Sequence, residues 1–538
     1  GTIDVIELNE PKQREAIRRS YRTTQPLIDT INMITSGIGQ THTRYNPAFA
    51  PMNFVRDALT NAFTLGAELG PAKAGQLLTA VASDVAGGGM YKSIKFSSMY
   101  AKGKFDKIRE LAAKDQYYTD LLEYVQLGGK VSYLQGLAAK GALDGLMKEI
   151  GRSGVLKTKD QVDRFIDIYN DMFELSSRAA TYRMLKDQFY AENKESGKFK
   201  NDADALEDAK VQAVEYAKNL ANFEQVGRWG KEAGALFMFF RPAATGAVRA
   251  IEALAPAFGF DEKSFREEAA AQGRTEEQID KAVKELKQQQ SNARYMATGL
   301  LGVGVVMYMM ALMMAGEDDE GRNKVVTDDM ARWTRYARFH IPGTDVIIQI
   351  PWGFGLGAFA SAGAQMAGFA NGAQSAKGML SNLFLQIALD SFVPIPVSRM
   401  SPAEEPLEFL LDTISPSLAR PLLEFALNKN GLGQNIYSES NRRMGDAFVS
   451  GDNIPEVYKD VARWLFKSTD GIIDWSPNSI YFFSNSYADG AAKVLAELPH
   501  GMFNMAKGEK DFNPKTDIPL FGSFFGAKGS VDAREIGR

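Results

Sequence analysis

Three histidines, His42, His340 and His500, are the only imidazoles in this 538-residue chain, and it contains no cysteine. A zinc site would need these histidines to converge with carboxylates, because none stands at a ligand spacing such as HExxH. They read as structural or surface residues, and no metal is expected. The lack of cysteine excludes disulfides, iron–sulfur clusters and thiol nucleophiles. Two Glu-Ser pairs, Glu195-Ser196 and Glu439-Ser440, match the core of an acid motif used in glycan cleavage. Both lie in polar, turn-like surroundings rather than on an apolar helix that could raise a carboxyl pKa by burial. Gly355-Leu-Gly357-Ala-Phe-Ala360 follows a predicted strand, Val346 to Ile350, and opens a helix, which is the context of a dinucleotide loop. The ribose-binding acid due about 20 residues later is missing and no second parallel strand follows, so these glycines read as close packing. No phosphate loop or GxSxG elbow occurs, and no pair of Asp or Glu stands out as general acid and base. Neither an enzymatic activity nor a cofactor is expected.

The remaining polar candidates are structural. Asn46-Pro47 initiates a turn, after which Asn53, Arg56 and Asp57 fall on a helix whose apolar side carries Phe54, Leu59 and Phe63. They read either as a buried network that fixes helix register or as solvated surface charges. Arg178 with Arg183, and Arg228 with Arg241, are candidates for similar parts.

Helical periodicity supplies the elements that would position them. Lys12, Arg14, Arg18, Arg19 and Arg22 make one locally basic amphipathic run. Phe165, Ile168, Met172, Leu175 and Ala179 step by three and four along a single long helix. Thr275 and Gln278 form a capping box that opens a polar helix. "RFHIPGTDVIIQIP" predicts a hairpin about a turn at Pro342 to Asp345. In the Gly/Ala-rich helix after it, Ala360, Ala364, Gly368 and Gly372 share a ridge at four-residue spacing; with Gly353 and Gly357 they are the helix-packing candidates. From Pro394 onward, prolines punctuate short helices. The resulting organisation is an N-terminal junction segment (1–43), a helical body (44–294), apolar helices with the hairpin (295–393) and a proline-punctuated region (394–538).

One run dominates the question of function. From Tyr295 to Gly316 there is no charge, with Arg294 at one end and Glu317, Asp318, Asp319 and Glu320 at the other. About 20 residues at 1.5 Å rise span roughly 30 Å, the thickness of a hydrocarbon core. Tyr295, Met296, Gly299, Gly302, Val306, Met310 and Met314 are the membrane-active candidates. The run fits either a membrane span or the central helix of a large α-helical body. A two-state account accommodates both: sequestration first, insertion later.

The totals fit an all-α, elongated, multi-helix chain with one small hairpin. With 45% hydrophobic and 24% charged residues it can bury a substantial core. A net charge of -4 gives no global attraction to phosphate, so strong sequence-independent nucleic-acid binding is not expected. The chain opens at Gly1 without an initiator Met or a basic-then-apolar leader, and the expectation is a piece of something longer.

Five phrases occur in a fixed order: "RYNPAFAPMNFVRDALTNAF" from Arg44, "FELSSRAATYRM" from Phe173, "NLANFEQVGRWGKEAGALFMFFRPAATGAVR" from Asn219, the hairpin with "IPWGFG", and "WSPNSIYFFSNSYADGAAK" from Trp475. This set, from about residue 10 to about residue 520, resembles the large polyvalent protein associated domain of giant proteins carried inside short-tailed phage virions. The resemblance implies an internal virion protein ejected with the DNA, which helps to form a conduit through the host envelope. Its implied partners are other ejection proteins, copies of itself in a ring or tube, and the host inner membrane, with double-stranded DNA passing without sequence-specific binding. Its implied location is the virion interior, then the host periplasm and inner membrane. The alternative is the non-catalytic tail of a virion RNA polymerase or peptidoglycan transglycosylase whose active site lies upstream.

Overall fold

The computed structural model describes residues 26–46, 49–101, 103–129, 159–220, 230–238, 240–315, 327, 329–341, 346–353, 355, 357–389, 406–430, 435–437, 445–451, 454–497 and 524–527. Among them are twenty α-helices and three short strands, so the fold is all-α with one small sheet. The basic run Lys12 to Arg22 and the turn Pro342 to Asp345 lie outside these residues.

The first half is a helical body. It comprises α1 (Pro26–His42), α2 (Phe49–Leu69), α3 (Pro71–Ala86), α4 (Gly89–Ala101), α5 (Phe105–Ala112) and α6 (Gln116–Gln126). The long α7 (Lys159–Glu195), α8 (Asp202–Leu220), α9 (Gly230–Leu236) and α10 (Phe240–Leu254) follow. Local chemistry sets the breaks. Gly70 takes φ 108, which a side chain would strain, and Pro71 then opens α3 where its missing N–H costs nothing. Asp115 caps α6 by accepting from the Tyr117 N–H at 3.0 Å. The helix expected through Phe165 to Ala179 is α7, 37 residues long, with Leu175 and Ala179 in the core.

α11 (Glu262–Ala271) and α12 (Glu276–Ala315) come next. The capping box forms as expected: Thr275 N–H donates to Gln278 Oε1 at 3.0 Å and Gln278 N–H to Thr275 Oγ1 at 3.3 Å. From that start α12 runs 40 residues without a break, carrying the polar segment into the apolar one over about 60 Å.

A short α13 (Met330–Trp333) leads into the expected hairpin, β1 (Tyr336–His340) paired antiparallel with β2 (Val346–Pro351), with Arg338 opposite Gln349. The structure adds a strand: β3 (Phe525–Ala527) returns to the free edge of β2, Val346 opposite Ala527, giving the order β1-β2-β3. α14 (Gly357–Ala370) and α15 (Ala376–Ser381) follow the hairpin. Beyond them, α16 (Pro406–Ile414), α17 (Arg420–Ala426), α18 (Glu456–Ser468), α19 (Pro477–Tyr487) and α20 (Asp489–Ala492) are short, and Pro406, Pro421, Pro455 and Pro477 stand at or beside their starts.

One apolar core joins α2, α3, α6 and α7 to α12, α13, β1 and α14, with Leu65, Leu77, Tyr124, Leu185, Tyr308 and Trp333 almost wholly buried. It continues across residue 294, so the apolar run is anchored in the same body as the helices before it. A small satellite of Ala269, Ile279 and Val283 ties α11 to the polar half of α12.

Candidate functional site

Several places stand out among the described residues. The first is a junction around Asn46, just after α1. Asn46 is buried, and its Nδ2 donates to Asp489 Oδ2 at 3.2 Å, 443 positions away. A Cβ on Gly490 would fall 2.2 Å from that of Asn46, so only glycine allows this approach. Beside it Thr41 Oγ1 donates to the Tyr487 carbonyl at 3.0 Å, and Asn170 Nδ2 to the Arg44 carbonyl at 3.1 Å. On α2, Asn53 donates to Asp57 at 2.7 Å one turn on, with Arg56 half-buried between them. Asn53, Asp57 and Asn61 face Asn170 and the buried Arg178 across a cavity of about 300 Å³, walled by Phe54 and Phe173. The phrases beginning at Arg44, Phe173 and Trp475 therefore meet here. The hairpin block reaches α2 as well, where Gly353 (φ 88) lies against Thr60 and Leu59.

Arg183 is elsewhere: it pairs with Asp84 of α3, and burial is outweighed there by that carboxylate, which holds the guanidinium above its usual range. Nearby Lys186 reaches Asp120 at 2.6 Å and Glu123 at 3.1 Å, while Lys210 reaches Glu123 at 3.0 Å. Burial disfavours the Lys186 ammonium, yet the two carboxylates hold its pKa above the ordinary value. The network ties α6, α7 and α8 to one another. Arg228 and the Arg241 side chain lie outside the described residues.

A second cluster was not evident from sequence. Asp412 at the end of α16 and Glu424 in α17 are both buried and meet across the Ser-Pro-Ser turn, with Arg420 Nε 3.2 Å from Asp412 Oδ1. Burial, and then the Asp412 carboxylate, push the Glu424 carboxyl up to about 8, and the two acids share a hydrogen bond. The signal available was a pair of acids twelve positions apart on two short helices, which no catalytic spacing marks.

The third place is the crossing of α12 and α14. A Cβ on Gly304 would fall 1.8 Å from the Ala360 carbonyl oxygen, and one on Gly363 would fall 2.0 Å from the Leu301 carbonyl oxygen. The two helices thus run antiparallel in backbone contact. Ala360 and Ala364 sit on this seam, and Gly304 and Gly363 supply the closest approach. Gly357 packs under the Trp352 carbonyl and Gly368 against Met330. Gly372 is not in the seam. It is exposed at φ 77, two residues past the end of α14, where Ala373 N–H closes back onto the Gly368 carbonyl.

The apolar run of α12 is split lengthwise. Met296, Leu300, Gly304, Tyr308 and Ala311 face inward. Met296 is therefore a core residue, 7% exposed, and not part of the open face. Tyr295, Gly299, Gly302, Val306, Met310 and Met314 are exposed, as is Met313 at 83%. Only 28% of the most apolar window is buried, although the helix is long and apolar enough to cross a membrane.

As for the histidines, His42 Nδ1 donates to the Ile38 carbonyl at 3.0 Å, and His340 is half-buried at the end of β1. Among the described residues no group of three or more His, Asp or Glu side chains is placed to hold a metal ion. No curated protein and no solved structure matches the chain. Upstream of α13 the chain carries the phrases beginning at Arg44, Phe173 and Asn219, while residues 326–520 match the family model described as large polyvalent protein associated domain 38.

Proposed function

We propose that this chain is a non-enzymatic structural protein of a short-tailed phage, packaged inside the virion and ejected with the genome. There it helps to form a conduit across the host envelope that reaches the inner membrane. The observation that carries this reading is the open apolar length of α12, from Tyr295 to Met314, on a helix anchored in a folded body. A face of that kind is left for a lipid or a partner to cover. The domain at 326–520 supports the setting, since its family is associated with large polyvalent proteins. Other ejection proteins and further copies of the chain are the proposed partners, with double-stranded DNA passing through without sequence-specific contacts.

Quantitative mass spectrometry of purified virions and of particles emptied by triggered ejection tests the reading. The chain is expected in the first and depleted from the second. Its retention in emptied particles, or its absence from both, would overturn the proposal.

A further inference from the structure

The cavity beside the Asn46 junction is lined by polar groups that the fold itself does not use. Asn61 of α2 and Ser177 of α7 both face it, and each is only 7% exposed. Neither side chain hydrogen-bonds to any other group of the described residues. Their neighbours on the same lining are engaged. Asn53 donates to Asp57 at 2.7 Å, Asn170 Nδ2 donates to the Arg44 carbonyl at 3.1 Å, and Arg178 is bonded within the protein.

A buried amide without a partner gives up its bonds to water and gains none in return, a cost to folding that an apolar residue of the same shape would remove. Such groups need a reason outside the fold, and a bound molecule that completes them is one. The Asn61 amide offers two donors and an acceptor, and the Ser177 hydroxyl offers both roles as well.

Size, charge and wall shape narrow the class of molecule. The volume of about 300 Å³ stands at the small end of ligand pockets, which run from roughly 300 to 1,000 Å³, and it has room for one ring rather than a chain of them. Asp57 and Arg178 share the lining with opposite signs, and both are already bonded, so a net anion or cation finds no unmatched charge there. Phe54 and Phe173 form the apolar wall, their ring centroids 5.6 Å apart and their planes tilted by 55°. Rings that meet at this angle make a bent surface and leave no pair of parallel faces for a flat base to enter. Such a surface suits the puckered C–H face of a sugar, whose hydroxyls each donate and accept as the amide and the serine require.

We propose that this cavity binds a single neutral sugar ring. The Asn61 amide and the Ser177 hydroxyl recognise its hydroxyls, and Phe54 and Phe173 carry its apolar face. The site is built on α2 and α7, ahead of the apolar run, and does not rest on the function proposed above.

Saturation-transfer NMR titrations of the whole chain with glucose, galactose, mannose and N-acetylglucosamine test this, with adenosine and uridine as the flat-ring comparison. The variants are Asn61→Leu, which keeps the size and removes the amide, and Ser177→Ala; Gln188→Ala, further along α7 and outside the cavity, is the control. At least one sugar is expected to saturate with a millimolar Kd. Asn61→Leu should weaken it by about tenfold and Ser177→Ala by several-fold, while neither lowers the melting temperature and Gln188→Ala binds as wild type. A lower melting temperature for Ser177→Ala would show that the fold uses the hydroxyl and would overturn the proposal. If Asn61→Leu is misfolded by its shape, Asn61→Ala takes its place with the same expected loss. No saturation by any sugar would mean that the cavity holds water only, and would overturn the proposal. So would saturation by a nucleoside alone, or a sugar affinity that both cavity variants leave unchanged.

Discussion

Replacing Gly304 with alanine tests the backbone contact between α12 and α14 directly. The new Cβ would lie 1.8 Å from the Ala360 carbonyl oxygen, 2.7 Å from its carbon and 2.9 Å from the Ala364 nitrogen. A carbon–oxygen contact needs about 3.3 Å, so the helices must part by roughly 1.5 Å along the crossing. No rotamer can relieve this, because every clashing atom is backbone. Overpacking of this kind costs about 1–3 kcal/mol, and a gap of that width also forfeits much of the dispersion at the neighbouring Ala364 and Leu301 contacts. Against this stands a gain of about 1 kcal/mol, since alanine is the better helix former. The expected net loss is about 2 kcal/mol, with the sign opposite to that of the propensity effect. Gly302→Ala is the matched control: the same helix two residues away, nothing within 4 Å of the added methyl, and an expected gain of up to about 1 kcal/mol. Urea unfolding followed by the fluorescence of Trp333 and Trp352 reads the difference, because both rings are buried in the same core. Adding Gly363→Ala to Gly304→Ala should cost less than the two singles summed, since helices already forced apart accommodate the second methyl. A Gly304→Ala midpoint at or above wild type would refute the reasoning.

Other perturbations separate the polar clusters. Lys186→Met leaves Asp120, 1% exposed, without its ammonium partner and should cost about 3–5 kcal/mol in urea titrations; a loss below about 1 kcal/mol would show that the network carries no strain when broken. Arg338 is fully buried, holds Asp329 at 2.9 Å, and leaves Nε and Nη2 without hydrogen-bond partners. Arg338→Met should therefore fall within about 1 kcal/mol of wild type, whereas Asp329→Ala, which strands that cation, should cost several-fold more by the same assay. For Glu424, the folded pKa of about 8 exceeds the ordinary 4.5, so the folded chain keeps the proton longer than the unfolded one. The stability it contributes is present below about pH 4.5 and is lost as pH climbs through about 8. Melting temperatures measured across that window should fall less steeply for Glu424→Gln than for wild type; parallel curves would contradict the assignment.

The sequence showed where elements begin more clearly than which way they face. Thr275 with Gln278 marked the start of α12 because a capping box is a local, directional pattern, and the alternation around Pro342 to Asp345 marked the hairpin for the same reason. β3 gave no signal, since three residues cannot display a period, and its pairing is supplied by the edge of β2. The four-residue ridge runs from Ala360 and Ala364, which lie on the seam with α12, on to Gly372, where left-handed backbone has already ended the helix. Gly304 and Gly363 carry no such signal, because periodicity within one helix says nothing about the carbonyl that another helix brings to it. The inward turn of Ser361 and Gln365 was hidden similarly: a helix of alanine and glycine has too little amphipathic contrast to show its buried side. Asp489 could not be tied to Asn46 by any local rule.

That last contact bears on how quickly the body can assemble. Neighbouring pairs such as α7 with α8, or α11 with α12, close over short loops and need little of the chain. Asn46 with Asp489 and Gly490 closes over 443 intervening steps, and loop closure of that span is the slow, entropically costly class of folding event. Local helical hairpins are therefore expected to form first, with α1 and the start of α2 waiting for α19 and α20. The junction at Asn46 is therefore a late contact, made only once the chain as far as Asp489 and Gly490 is free to fold back onto the end of α1.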